Sequence, residues 1–327
     1  MFQGFTRHRI ETSESMMINL VAGGTGEGLL LLHGCPETLA MWHKIAPAFA
    51  DDFAVVASDL RGYGDSSKPP GASDHGTYSF RAMARDQVEV MKAFGHDRFM
   101  VVGHDRGARV VHRMALDHPT AVRKAAVLDI LPTLTLYEQT DAQFARAYWE
   151  WFFFIQGYDF PEALIGAAPE KFLRYELGPL VNRGVISPEA WDEYLRCIGD
   201  PSAIHAMCED YRAGASIDLE HDRSDLDRKV TCPLLVLWGG ENPIWERFDM
   251  LDTWRQRAVT VTGEALPCGT KLGEHAVGRP ASAARRPRLG ARRGGPAGPR
   301  RSTPGGSRVP LLDDLARSRR WVRMMPI

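Results

Sequence analysis

The chain has 327 residues, of which 44% are hydrophobic and 25% charged, and its formal net charge is −1. That length suits one large α/β domain or a core with an insert, and the apolar fraction is that of an ordinary globular protein. A membrane-spanning helix is not expected, because no apolar run reaches bilayer length. The N-terminus lacks the basic-then-apolar layout of a secretion signal. Five scattered cysteines (Cys35, Cys197, Cys208, Cys232, Cys268) are odd in number and lack metal spacing, so they read as reduced thiols of a cytoplasmic protein with no metal. The near-zero net charge hides an asymmetry. From Lys271 onward there are 14 basic and 3 acidic residues, against 26 and 38 before it.

Met17 to Val21 suggests an early strand and Gly28 to Leu32 a clear one. The second runs into His33-Gly34-Cys35-Pro36, where a backbone amide can point at a developing negative charge, ahead of a helix carrying Met41 and Trp42. Phe53 to Ser58 is another strand. It leads into Asp59-Leu60-Arg61-Gly62-Tyr63-Gly64-Asp65-Ser66, a structured loop with no catalytic role. Tyr78 to Phe94 has helical spacing.

The apolar run Phe99 to Val102 then enters Gly103-His104-Asp105-Arg106-Gly107, followed by a helix from Ala108 to Asp117. Glycines two residues either side of a central side chain form a nucleophile-elbow pattern, a sharp strand-to-helix turn above a parallel sheet. An aspartate at its centre can attack a saturated carbon and form an ester that water later cleaves. A plain N-cap role for Asp105 is the competing reading.

Ala125 to Leu128 is the next strand and ends at Asp129, at the ligand edge of such a sheet. Asp129 is suited either to orienting a histidine or to capping a turn. From Leu136 to Asp227 the pattern is helical and rich in aromatics. Strand character returns at Pro233 to Trp238, with a last strand expected at Ala258 to Val261. The expected architecture is a doubly wound, mostly parallel α/β sheet with a helical cap: core at 1–134, cap at 135–227, core again at 228–269. Residues 270–327 are Arg-, Gly-, Pro- and Ala-rich and cannot bury a core. They read as a disordered tail, or a non-native reading frame, more readily than as a nucleic-acid binder.

Several stretches together resemble the haloacetate dehalogenases of the fluoroacetate type, within the α/β-hydrolase superfamily. They are His33-Gly34-Cys35-Pro36, Asp59 to Ser66, Gly103 to Arg109, His112 to Pro119, Asp210-Tyr211-Arg212-Ala213 and Ile217 to Asp222. The resemblance covers about four-fifths of the chain. It implies an α/β-hydrolase fold with Asp105 as nucleophile, Asp129 as triad acid, and Arg106 and Arg109 as the substrate-carboxylate clamp. Trp151 and Tyr211 match halide-binding positions. No cofactor is implied, since water completes the cycle. The expected partner is a small haloacid, with no membrane; nucleic acid is disfavoured and a homodimer is compatible with the family. Arg109 lies four residues after Asp105, on the same helical face, and a guanidinium suits a carboxylate.

Two positions depart from the pattern. Glu150 stands where the family commonly has histidine; an ionised Glu only accepts hydrogen bonds and repels a leaving halide. Thr270 stands where the catalytic histidine follows Leu266-Pro267-Cys268-Gly269, and His275 is the nearest histidine. Without a base, the Asp105 ester would form and hydrolyse slowly. The leading expectation is hydrolytic dehalogenation of short 2-haloacids. The alternatives are an epoxide hydrolase of the same fold, which would carry two cap tyrosines, and an impaired homologue that binds small carboxylates.

Overall fold

The computed structural model describes residues 1–269. Expectations for Thr270, His275 and the rest of 270–327 fall outside the described residues.

Eight strands form one sheet: β1 (Thr6–Glu11), β2 (Met17–Gly23), β3 (Glu27–Leu32), β4 (Phe53–Ser58), β5 (Phe99–His104), β6 (Val122–Leu128), β7 (Leu234–Gly239) and β8 (Val261–Leu266). Their order is β1-β2-β4-β3-β5-β6-β7-β8. From β4 to β8 all neighbours are parallel, while β2 runs antiparallel to both β1 and β4. The central strands are near-continuous apolar runs because helices cover both faces of a parallel sheet. Leu29 to Leu32 are fully buried, as are Phe99 and Val101.

The core helices are α1 (Ala46–Phe49), α2 (Phe80–Ala93) and α3 (Arg106–Asp117). Between β6 and β7 the chain is helical throughout. Here lie α4 (Thr133–Glu138), α5 (Ala142–Ala147), α6 (Trp149–Phe154), α7 (Phe160–Ala167), α8 (Pro169–Asn182), α9 (Pro188–Ile198), α10 (Pro201–Gly214) and α11 (Ile217–Ser224). α12 (Met250–Arg255) joins β7 to β8. This helical insertion is tied to the core by buried polar contacts. The Phe80 amide donates to Asp218 Oδ1 at 3.0 Å, and the Tyr63 hydroxyl to Asp210 Oδ2 at 2.7 Å. Among the described residues, no helix is long and apolar enough to cross a membrane.

Two sequence expectations need correction, and one strand has no counterpart among them. The last strand is Val261–Leu266, not Ala258 to Val261; Ala258 forms only an isolated bridge with Val230. β8 is an edge strand, half-exposed, and Gly263 and Glu264 interrupt its apolar run, so period alone misplaces it. The helix expected around Met41 and Trp42 is a single 3₁₀ turn, Leu39–Trp42, capped by the Thr38 hydroxyl. The polar edge strand β1 was not anticipated; its arginines face Asp65, and Arg7 donates to Asp65 Oδ2 at 3.0 Å.

The chain winds from β3 to β4 on one side, then crosses back to β5 on the other. The order reverses between β3 and β5, and a doubly wound sheet opens its ligand crevice at the carboxyl ends of such a pair. Cys35 follows β3 and Asp105 follows β5.

Candidate active site

Asp105 sits at φ 47°, ψ −116°, a strained conformation for a residue with a Cβ. Its carboxylate makes no capping bond to α3, which removes the N-cap reading. The turn is held from three sides. The Asp105 amide donates to Leu128 O at 3.2 Å, Gly107 N to His33 O at 2.9 Å, and Arg109 N to Asp105 O at 3.1 Å. The flanking glycines are sterically required: a Cβ on Gly103 would lie 2.5 Å from the Gly107 backbone, and one on Gly107 2.4 Å from His33 O. The Cys35 amide donates to Asp105 Oδ1 at 3.2 Å. That amide can stabilise negative charge on the Asp105 carboxyl oxygen.

Asp129 follows β6, also in the left-handed region at φ 58°. Its Oδ1 accepts from Gly239 N at 2.8 Å, across to the end of β7. It therefore bridges two strand ends and does not cap a local turn. The chain returns to this point at the end of β8. A Cβ on Gly239 would overlap the Gly269 carbonyl, so residue 269 lies against the backbone that Asp129 holds.

A cavity of about 500 Å³ opens above the elbow. Asp105, Asp129, Glu150 and Tyr211 line it together, with Cys35, His104, Tyr148 and Asn242. The structure thus brings four of the sequence candidates to one space. Arg106, Arg109 and Trp151 are not on its lining; they are buried and stacked on one another's neighbours. The Arg106 guanidinium lies 4.3 Å from the Tyr211 ring centre and 4.6 Å from that of Phe80, and Arg109 lies 4.5 Å from that of Trp151. Trp151 meets Tyr211 edge-on at 6.3 Å.

The two arginines differ in charge balance. Arg106 grips Asp210 in a fork: Nε donates to Oδ2 at 2.8 Å, and Nη2 donates to Oδ1 and also to the Asp210 carbonyl, at 2.6 Å. Asp210 keeps that guanidinium charged, well above the ordinary range despite burial. Arg109 instead donates Nη1 to two neutral acceptors, Leu131 O at 3.1 Å and Thr133 Oγ1 at 2.9 Å. Burial lowers its pKa, and the Asp105 charge is the first influence opposing that.

The alpha/beta hydrolase fold model matches residues 28–275. The chain belongs to the alpha/beta hydrolase family. A fluoroacetate dehalogenase from Burkholderia sp is 49% identical over 274 residues, covering 82% of this chain and 89% of that protein. A soluble epoxide hydrolase from Corynebacterium sp. (strain C12) is 33% identical over 268 residues, covering 79% and 90%. The solved structure of an alpha/beta hydrolase from Nostoc sp PCC 7120 superposes with a TM-score of 0.82 at 55% identity, over 84% of this chain and 95% of that one.

Sequence reasoning passed over several groups of this alpha/beta hydrolase site. His104, directly before Asp105, is buried between two carboxylates: Nε2 is 3.7 Å from Asp129 Oδ2 and Nδ1 is 3.5 Å from Glu37 Oε2. Burial alone would push the imidazole down, but Asp129 and Glu37 outweigh it and raise it to about 9. Its place inside the elbow motif was the available signal; its burial between acids was not legible. Tyr148 and Asn242 share a hydrogen bond of 3.2 Å on the cavity wall. The Tyr148 and Tyr211 phenols are both raised, chiefly by burial, and so stay protonated donors. The Asp59 loop proves structural. Asp59 Oδ1 accepts from Leu39 N at 2.7 Å, and Oδ2 accepts from Asn19 Nδ2 at 2.7 Å and Asp65 N at 3.0 Å.

Proposed function

We propose that this hydrolase is a dehalogenase of 2-haloacids that works through an aspartyl ester at Asp105. The observation that carries the reading is the buried guanidinium of Arg109, whose hydrogen bonds go to neutral acceptors, beside a strained elbow aspartate. A buried cation hydrogen-bonded only to neutral groups is costly. A substrate anion relieves that cost, and the same positive charge eases the approach of one anion, the haloacid, to another, Asp105. A neutral epoxide or haloalkane would not need it. The 49% identical fluoroacetate dehalogenase supports the same choice.

In this scheme an Asp105 oxygen bonds to the α-carbon as the carbon–halogen bond breaks, and halide departs with the electron pair near Tyr211 and Trp151. Glu150 lines the cavity where a donor would serve fluoride best, so chloride and bromide are the favoured leaving groups. Water then adds to the ester carbonyl, assisted at Asp105 Oδ1 by the Cys35 amide. Arg106, already neutralised by Asp210, positions Tyr211 and leaves Arg109, which stacks on Trp151 off the cavity lining, as the cation for the substrate carboxylate. We assign the protein to the reducing cytoplasm, consistent with five buried free cysteines.

Epoxide hydrolysis is the second reading, supported by Tyr148 and Tyr211 facing one cavity as protonated donors and by the 33% identical epoxide hydrolase. Incubation with chloroacetate separates the two. Halide release with an intact-mass adduct that maps to Asp105 is expected, and neither appears in Asp105→Asn. One equivalent of halide with a persistent adduct means that Thr270 leaves the site without a base; Thr270→His should then convert it to turnover. Absence of both halide and adduct, with diol formed from an epoxide, would sink the dehalogenase reading.

A further inference from the structure

The cavity above Asp105 is far larger than a haloacetate requires. Its volume is about 500 Å³. A water takes ~30 Å³ of liquid, and at roughly that volume per heavy atom a five-atom haloacetate fills on the order of 150 Å³. Sites of several hundred Å³ enclose ligands of many more atoms.

The surplus has its own character. The reacting end, at Cys35, Asp105, Asp129 and Asn242, is polar. From Tyr211 outward one wall is aromatic. The Phe154 ring meets Tyr211 at 4.8 Å and Phe172 at 5.8 Å, and Trp149 meets Tyr175 edge-on at 5.6 Å. Phe154, Phe172, Trp149 and Tyr175 all line the cavity. Tyr175 is 71% exposed, so this wall reaches the protein surface. There Trp149, Phe172 and Tyr175 also line an outer groove with Phe153, Leu164 and Ile165. A run of aromatic rings therefore leads from the halide side of the site to the exterior of α6 and α8, with Glu150 and Glu176 beside it on the cavity lining and Lys171 and Arg174 beside it on the groove. Such a surface recognises a hydrocarbon chain or ring and has no partner in a two-carbon acid.

We infer that the substrate is a 2-haloacid bearing an extended alkyl or aryl substituent on its α-carbon, with that substituent laid along Tyr211, Phe154 and Phe172 towards Tyr175. The inference rests on the dehalogenase reading. The bond changes are those of any 2-haloacid: Asp105 oxygen to C2 forms, C2 to halogen breaks and halide leaves with its electron pair. Water then cleaves the ester at the Asp105 carbonyl, giving the 2-hydroxyacid, with one proton released. The substituent takes no part in these bonds and acts through binding and orientation.

The test compares racemic 2-bromopropionate with racemic 2-bromooctanoate, which share a secondary reacting carbon and differ only in the tail. The full-length protein is used in excess, and the first equivalent of bromide is timed with intact mass alongside, so that slow ester hydrolysis does not mask the attack. The second-order rate constant for 2-bromooctanoate is expected to be about tenfold or more above that for 2-bromopropionate. Phe172→Trp, which fills the arm, should lower that ratio about tenfold. Tyr175→Ala, at an exposed position that does not endanger folding, should lower it in the same direction. Equal or faster bromide release from 2-bromopropionate overturns the inference and leaves the dehalogenase reading intact. No bromide from either acid removes that reading and the inference with it.

Discussion

Arg106 and Arg109 look equivalent in the sequence, three residues apart on one helix after the elbow. The fold separates them because Asp210, 104 residues away, reaches only the first. Replacing each by leucine should therefore give different signatures. Arg106→Leu leaves the buried Asp210 carboxylate without a countercharge, held only by the Tyr63 hydroxyl, and should destabilise the protein by about 3–5 kcal/mol in urea unfolding. Arg109→Leu removes a buried cation whose hydrogen bonds go to neutral acceptors, so its cost in stability should be well below that of Arg106→Leu. Its expected cost is in substrate binding, with KM for a haloacid raised roughly ten- to a hundredfold through loss of a charged hydrogen bond. Equal destabilisation by the two changes would remove the argument that Arg109 awaits an anion. What the sequence could show at this scale was side-chain chemistry and local spacing, as with Asp105. It could not show which acid meets which base across the fold, so Asp210, Glu37 and His104 went unassigned.

The legible elements were those whose residues carry a one-dimensional signal. β3, β4 and β5 are buried on both faces, so their apolar runs mark them within two residues. β1 and β8 lie at the two sheet edges, with exposed faces and mixed side chains, and for them the signal fades. The elbow was legible because sterics demand glycine at two fixed offsets. That demand is directly testable. Gly107→Ala would drive a Cβ against His33 O and Leu32 O, at 2.4 and 2.6 Å; both are backbone atoms of the strand end that positions Cys35. It should cost about 1–3 kcal/mol in urea unfolding and displace the elbow, so adduct formation should fall as well. Gly157→Ala meets nothing within 4 Å and should stay within about 0.5 kcal/mol of the parent. If Gly107→Ala behaves like Gly157→Ala, the elbow is looser than its contacts imply.

At the scale of the whole molecule, the site leaves a mark on stability against pH. His104 is raised to about 9, so in the folded state it keeps its proton over a range where the unfolded chain has released it. A raised base stabilises fully below its unfolded pKa, near 6.5, and loses that contribution as pH rises towards 9. The His104 contribution to unfolding free energy should therefore fall between pH 6.5 and 8, by up to ~1.4 kcal/mol per pH unit, while His33, His43, His112 and His118, all shifted down by burial, gain stability with rising pH near 6.5 and oppose it. The window stops short of thiol ionisation. Burial raises Cys197 and Cys268 to about 12, so above pH 8.5 the unfolded thiols add a second loss of the same sign. Acid conditions do not isolate a single group, because His112 is pushed down to about 3 while Asp218 is raised to about 6, and their contributions oppose. Urea unfolding at pH 6.5, 7.25 and 8 on the parent and on His104→Gln resolves the question. The downshifted histidines titrate in both proteins, so the stability of the parent minus that of the variant isolates His104 and should fall from pH 6.5 to 8. A difference that does not change with pH would return His104 to a neutral role beneath the nucleophile.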